Sequence, residues 1–262
     1  MAFLNTSFEY NGESSLEHNC MLVHVGEETI TQALSSPKTL ITDHVKFKKT
    51  FYYGADKNTY SLSMKIIKID GDQEEFSNEE RMDIMRWLLP DDNFHVFTSG
   101  DFAGIEFIIQ FNKSQFVSYR MNVGYFELEA ISNDPYPLSE METLEYDLSD
   151  NIGTSIIEVP NNCNAYPYFV PNVLEFTLVG TGTSFSLKNL TNGGNILSFS
   201  GLSLLETVSI SSTQEILSST GNERISKFNF GFNALELSYG INRLEITGAC
   251  TIRVKLQYPI QL

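Results

Sequence analysis

Histidine, cysteine, serine and paired carboxylates are the side chains with which a chain of this kind could do chemistry, and their spacing here supports little of it. The four histidines, His18, His24, His44 and His95, all lie in the first half. None falls in an HExxH motif or a paired-ligand spacing, so a zinc hydrolase centre is not expected. They read as scattered packing or surface residues. The three cysteines, Cys20, Cys163 and Cys250, are odd in number, widely spaced and without a CxxC pair. That pattern suits reduced thiols serving as small apolar residues. Serine is plentiful, but no GxSxG elbow occurs and residues 151–262 hold no histidine to act as base, which removes the usual nucleophile arrangement. Two carboxylates facing a cleft would suffice for glycoside hydrolysis, and with 33 Asp and Glu the chain has many; nothing in their spacing pairs them. Asp70, Gly71 and Asp72 begin like a calcium loop, yet the glycine and terminal glutamate of an EF-hand are out of register. Gly180, Thr181 and Gly182 lack the third glycine and following helix of a dinucleotide cradle, and read as a turn. The expectation is a chain with no catalytic, cofactor-binding or metal residues.

The elements around these residues are mostly strands. Cys250 to Tyr258 alternates apolar Cys250, Ile252, Val254, Leu256 and Tyr258 with polar neighbours, the pattern of a strand with one buried face. Burial of five such side chains, at roughly 1.5 to 3 kcal/mol each, rivals the stability of a whole domain. The end of the chain is therefore expected in a core. Asn233–Tyr239 and Asn242–Thr247 repeat the alternation, and with the last strand read as a meander with tight turns. Upstream, Leu40–Tyr53 and Thr59–Ile69 read as a hairpin turning at Gly54 to Asn58, followed later by strands at Phe94–Thr98, Gly104–Phe111 and Asn122–Ser132. A single helix is expected at Asn78–Leu88. Ser77 and Glu80 form a capping box, Met82, Met85, Leu88 and Leu89 space as an apolar face, and Pro90 ends it. Trp87, the sole tryptophan, is assigned to packing.

Asn133 to Pro137, with two prolines, closes the first domain. The division expected is 1–134 as a β domain with one helix, 135–151 as an acidic linker, and 152–262 as a β-sandwich of short strands bounded by Gly, Asn and Ser. Ile225–Phe230 is one of those strands, and Asn192-Gly193-Gly194-Asn195 is a hairpin turn. Charge divides unevenly: residues 1–150 hold 26 Asp and Glu against 11 Lys and Arg, whereas 151–262 hold 7 against 6. The only basic cluster is Lys46, Lys48 and Lys49, too little for specific nucleic-acid binding. No apolar run of eighteen residues and no signal segment is present, so a membrane span is not expected and synthesis in a cytoplasm is.

The order of these elements resembles the distal tail (Dit) proteins of long-tailed bacteriophages. The residues that carry the likeness are Phe8, Glu9, Tyr10, Asn11, Gly12 and Ser14 at the start, the helix Arg81–Leu89, and Phe126–Ile131 with Pro135-Tyr136 where that family ends its first domain. Near the far end, Leu235–Tyr239, Gly240, Asn242, Leu244 and Ile246 match its closing pattern. The resemblance implies a mainly β fold, an N-terminal β-barrel-like domain with one helix and a C-terminal galectin-like sandwich. It implies a structural virion protein at the tail tip without enzyme activity or cofactors, in a ring of six copies that joins the tail tube to the tip or baseplate. Phage DNA would pass through such a ring without specific binding, and carboxylates from the helix region, Glu74, Glu75, Glu79, Glu80 and Asp83, or Asp91 and Asp92, are candidates to line its channel. The competing reading is a carbohydrate-binding lectin. Residues 151–262 lack Trp and His, so Tyr166, Tyr168 and Phe169 would have to supply its aromatic platform.

Overall fold

The computed structural model describes residues 6–23, 38–43, 51–69, 76–89, 92–119, 123–221 and 224–261. The chain separates into two compact units, one running to Ser139 and the other from Glu140 to Ile260.

The first unit contains β1 (Phe8–Tyr10), β2 (Glu13–Ser14), β3 (Cys20–Leu22), β4 (Lys38–Asp43), β5 (Phe51–Lys57), β6 (Ser61–Lys68), α1 (Asn78–Leu88), β7 (His95–Ser99), β8 (Ile105–Tyr119), β9 (Val123–Ser132) and β10 (Leu138–Ser139). Its main sheet runs β2-β1-β7-β8-β9-β6-β3, with β10 paired to β8. Thr6, just ahead of β1, exchanges both backbone hydrogen bonds with Leu22 of β3, at 3.2 and 2.9 Å. That contact returns the last strand to the first and makes the sheet barrel-like, which leaves few open edges. The core is aromatic: Phe8, Tyr10, Phe97, Phe107, Phe111 and Phe126 are buried together with Leu128 and Ala130. The alternation expected for β9 places Phe126, Leu128 and Ala130 inward.

The helix forms at the expected residues because its capping box is real. Glu80 N donates to the Ser77 hydroxyl at 3.2 Å while Ser77 N donates to the Glu80 carboxylate at 2.6 Å. Its buried face differs from expectation. Ile84, Trp87 and Leu88 pack inward, whereas Met82 is 55% and Met85 36% exposed. The bulky Ile84 and Trp87 set the inward stripe, and the flexible methionines fall on its flank. The hairpin also differs: β5 pairs with β4, and Gly54, expected in the turn, lies within β5 at a break in register opposite Ile41. The following strand, β6, leaves this pair and joins the barrel between β9 and β3.

The second unit contains β11 (Glu142–Leu148), β12 (Thr154–Asn161), β13 (Tyr168–Phe169), β14 (Val173–Leu178), β15 (Ser184–Asn189), β16 (Ile196–Ser200), β17 (Thr207–Ser211), β18 (Ile216–Ser218), β19 (Leu237–Ser238), β20 (Gly240–Thr247) and β21 (Cys250–Leu256). One sheet runs β11-β21-β14-β17-β18 and the other β12-β20-β15-β16, with β13 and β19 paired separately. The two main sheets share one core, where Phe176 of β14 stacks on Phe185 of β15 with ring centroids 3.7 Å apart. In β21 every second residue from Cys250 to Leu256 is buried, as its alternation predicts. The β15–β16 hairpin turns through Gly193 and Gly194, both at positive φ.

Three expectations are corrected here. Residues 135–151 are not simply an acidic linker: β11 pairs with β21 from Glu142↔Leu256 to Leu148↔Cys250, and Leu144, Tyr146 and Leu148 pack on the core. Glu145 and Asp147 lie on the outward face of this edge strand, and Glu142, in phase with Leu144, is exposed at its start. The closing strands are not a meander, because β20 and β21 belong to different sheets and the turn at Gly248 and Ala249 crosses the sandwich. Phe232–Leu235 is a 3-10 turn, overlapping the strand expected from Asn233, as is Ile225–Lys227 in place of the strand expected at 225–230. Alternation alone cannot tell neighbouring strands of one sheet from strands on opposite layers.

Candidate interaction sites

In the first unit the chemistry-bearing residues are tied into packing. Trp87 donates its indole N–H to the Tyr10 carbonyl at 3.1 Å and stacks on Phe8 and on His18, the latter with centroids 4.1 Å apart. His18 Nε2 lies 3.0 Å from Glu13 Oε2, so the loop between β2 and β3 is fastened over the tryptophan. His95 meets Tyr10 edge-on at 5.5 Å. His24, His44 and the Asp70–Asp72 stretch lie outside the described residues. All three cysteines are buried and unbridged; burial pushes the Cys20 thiol up to about 12 and that of Cys250 up to about 11.

The carboxylates singled out for a channel are dispersed in role. Glu80 bonds Lys68 at 2.7 Å as well as capping the helix, and those hydrogen bonds, Lys68 first, hold it below the usual carboxylate range. Asp83 pairs with Arg86 along the helix at 3.1 Å. Glu79 and Asp92 are exposed, and Glu74, Glu75 and Asp91 lie outside the described residues.

In the second unit, antiparallel register places Glu145, Arg253 and Glu175 in one row across β11, β21 and β14, and Asp147, Thr251 and Thr177 in the next. These outward side chains line a shallow groove of about 370 Å³. Arg253 donates to Glu145 at 2.8 Å and to Glu175 at 3.3 Å, and the two carboxylates raise its pKa, Glu145 foremost. The guanidinium thus fills the gap between the two glutamates, where a scissile glycosidic bond would have to lie. Among the described residues no three His, Cys, Asp or Glu side chains gather as a metal-ligand set. The aromatic platform expected of Tyr166, Tyr168 and Phe169 is broken up. Tyr166 and Tyr168 are exposed, but Phe169 is buried against Tyr258 with centroids 4.9 Å apart.

Two polar features escape any reading by spacing. Glu206 and Arg224 form a buried bidentate ion pair, both contacts 2.5 Å, to which the Ser203 N–H, the Ser218 hydroxyl and the Gly201 carbonyl add hydrogen bonds. Burial opposes ionisation of Glu206, and the bonds from Arg224, Ser203 and Ser218 outweigh it, holding the carboxyl below its usual range. The second is a set of fully buried asparagines, Asn161, Asn189 and Asn242, whose amides bond backbone carbonyls between Ala234 and Gly240. Charge pairing and loop clamping of this kind join residues far apart in sequence, and only the turn-forming character of Asn hints at the second.

A barrel-like unit carrying helix α1, followed by a two-layer sandwich, is the layout of a β protein with two domains. Residues 3–134 match the family description of a phage tail protein N-terminal domain, and residues 136–258 that of a phage tail C-terminal domain. The chain belongs to this family of phage tail proteins. Among curated proteins, an uncharacterised SPbeta prophage-derived protein, YomH, of Bacillus subtilis (strain 168) is 29% identical over 177 residues, 67% of each chain. Among solved structures, the SPP1 Dit (gp 19.1) protein, described as a paradigm of the hub adsorption apparatus in phages infecting Gram-positive hosts, superposes with a TM-score of 0.70. The match has 13% identity and covers 97% of this chain and 99% of that one. A chain of the phage P2 baseplate in its activated conformation superposes with a TM-score of 0.52 at 8% identity, covering 99% of this chain and all of that one. The two-domain fold is Dit-like.

Proposed function

We propose that the protein is a distal tail hub subunit, a structural virion component without enzyme activity, six copies of which form a ring joining the tail tube to the tail tip or baseplate. The observation that carries this reading is the superposition on SPP1 Dit along nearly the whole of both chains, together with the two phage tail family domains that this chain matches. The β4–β5 pair supports self-assembly. Among the described residues its strands pair with each other and with no other strand, and a two-stranded hairpin is marginally stable in water unless something packs on it. A neighbouring copy would supply that contact.

In this reading the partners are further copies of the chain, the tube protein and the tip proteins, while phage DNA passes through the ring without specific binding and no membrane is engaged. Native mass measurement of the purified chain, with negative-stain imaging, tests it. A ring of six times 29.6 kDa is expected; a concentration-independent monomer that forms no ring with purified tail tubes would overturn it.

A further inference from the structure

Among the described residues, both main sheets of the sandwich are open, which gives four edge strands: β11 and β18 in one sheet, β12 and β16 in the other. An edge strand presents backbone N–H and C=O groups with which a strand of another molecule can pair. The outward groups of β12 follow from its neighbour. In β20, Arg243 turns its backbone to β15, accepting from Leu190 N at 2.9 Å and donating to the Thr191 hydroxyl at 2.9 Å. Glu158, opposite Arg243, therefore turns its own backbone to the open side, as do Ile156 and Pro160.

Side chains of the other layer occupy that side. The Glu158 carbonyl accepts the Tyr146 hydroxyl, and the Pro160 carbonyl accepts the Tyr258 hydroxyl at 2.9 Å. The Tyr258 oxygen also accepts from the Asn162 N–H. One phenol thus does at 160–162 what a neighbouring parallel strand would do, donating to one residue and accepting from the next but one. Pro160 itself has no N–H to offer.

The edge of β16 is closed by an asparagine. Asn229 N donates to the Ser198 carbonyl at 3.2 Å, its side-chain oxygen accepts from Ser198 N at 2.9 Å, and its side-chain amide donates to the Ile196 carbonyl at 2.9 Å. A Cβ at Gly231 would collide with the Ile196 carbonyl oxygen, so glycine lets this segment lie along the strand. The other two edges need less. β18 is three residues long, and β11 exposes Glu142, Glu145 and Asp147. Short length and charge both discourage pairing.

We propose that the second unit is closed to strand addition by other copies of this chain, with Tyr146 and Tyr258 guarding β12 and Asn229 guarding β16. Such closure matters most in a particle that holds proteins side by side, where the effective concentration of every edge is high.

The test opens each edge in the full chain. Asn229→Ala removes both side-chain bonds on β16. Tyr146→Leu keeps an apolar side chain on the core but is too short to reach Glu158. An edge that pairs with its own copy gives a closed dimer, so at a concentration where the wild-type mass is constant, each variant should sediment with about twice that mass. A proline placed where the freed edge offers its N–H should restore the wild-type mass: Ser198→Pro with Asn229→Ala, and Ile156→Pro with Tyr146→Leu. Neither N–H belongs to the ladder inside the sheet, and proline is tolerated at such edge positions. Should Tyr146→Leu lose its cooperative melt, the exposed Asn229 decides the matter alone. Folded variants that keep the wild-type mass would overturn the proposal, as would added mass that the prolines leave in place. A monomeric wild type would refute the ring reading and leave this comparison intact.

Discussion

Removing the Arg224 guanidinium would leave Glu206 charged, fully buried and short of its main partner. Breaking one side of a buried pair costs about 3 to 5 kcal/mol, so Arg224→Ala is expected to lose that much stability by chemical denaturation. Glu206→Leu/Arg224→Met removes both charges and should be close to neutral. The pair also predicts an acid dependence. The Glu206 carboxyl is held low in the folded state, so its contribution is complete above the ordinary carboxylate range, near pH 4.3, and is lost as pH falls through the lowered folded value. Below about pH 4 the wild type should lose stability more steeply than the double variant; equal slopes would show that the pair does not titrate with folding. The thiols give a second check. With Cys20 and Cys250 pushed up by burial, a thiol reagent at pH 8 should react slowly with the native protein and find three groups per chain after denaturation without reductant.

At the scale of elements, β21 is the strand on which the second unit depends, since it lies between β11 and β14. Ile252 is 2% exposed and Thr251 faces outward. Ile252→Asp buries an unpaired charge and should cost more than about 4 kcal/mol, while Thr251→Asp should cost under about 1 kcal/mol at the surface. Deleting 250–262 should abolish the unfolding transition of the second unit and leave that of the first, as followed by calorimetry. The alternation that makes β21 legible is local, as are the Ser77–Glu80 capping box and the Asn-Gly-Gly-Asn turn. What was not legible is pairing at a distance. Nothing local in Glu142–Leu148 says that its partner lies over a hundred residues downstream, and so an edge strand read as an acidic connector. The same limit hid the crossing from β20 to β21. The arginine filling the gap between Glu145 and Glu175 was likewise not legible, because it comes from β21 and the glutamates from β11 and β14.

For the whole molecule, the reassignment of β11 changes the charge argument. Glu140, Glu142, Glu145, Asp147 and Asp150 belong to the second unit, so the first unit carries 21 acidic against 11 basic residues, a net charge of −10, and the second −6. Acidity is thus shared between the units more evenly than a division at residue 150 suggests. If first units surround the channel of a hub ring, their excess carboxylates would repel DNA, which carries a charge about every 1.7 Å of its axis. A basic wall would instead form ion pairs that must break at each step of passage. Screening confines the effect to roughly 10 Å at 0.1 M salt, so only side chains at the lumen count. Glu80 and Asp83 are already paired with Lys68 and Arg86, which leaves Glu79 and Asp92 as the exposed described candidates. Glu79→Lys/Asp92→Lys, in phage that still assemble tails, is expected to slow DNA ejection at 10 mM salt, where the Debye length is about 30 Å, and to have little effect at 1 M. An ejection rate unchanged at low salt would place the acidic surface of the first unit outside the channel and leave solubility as its role.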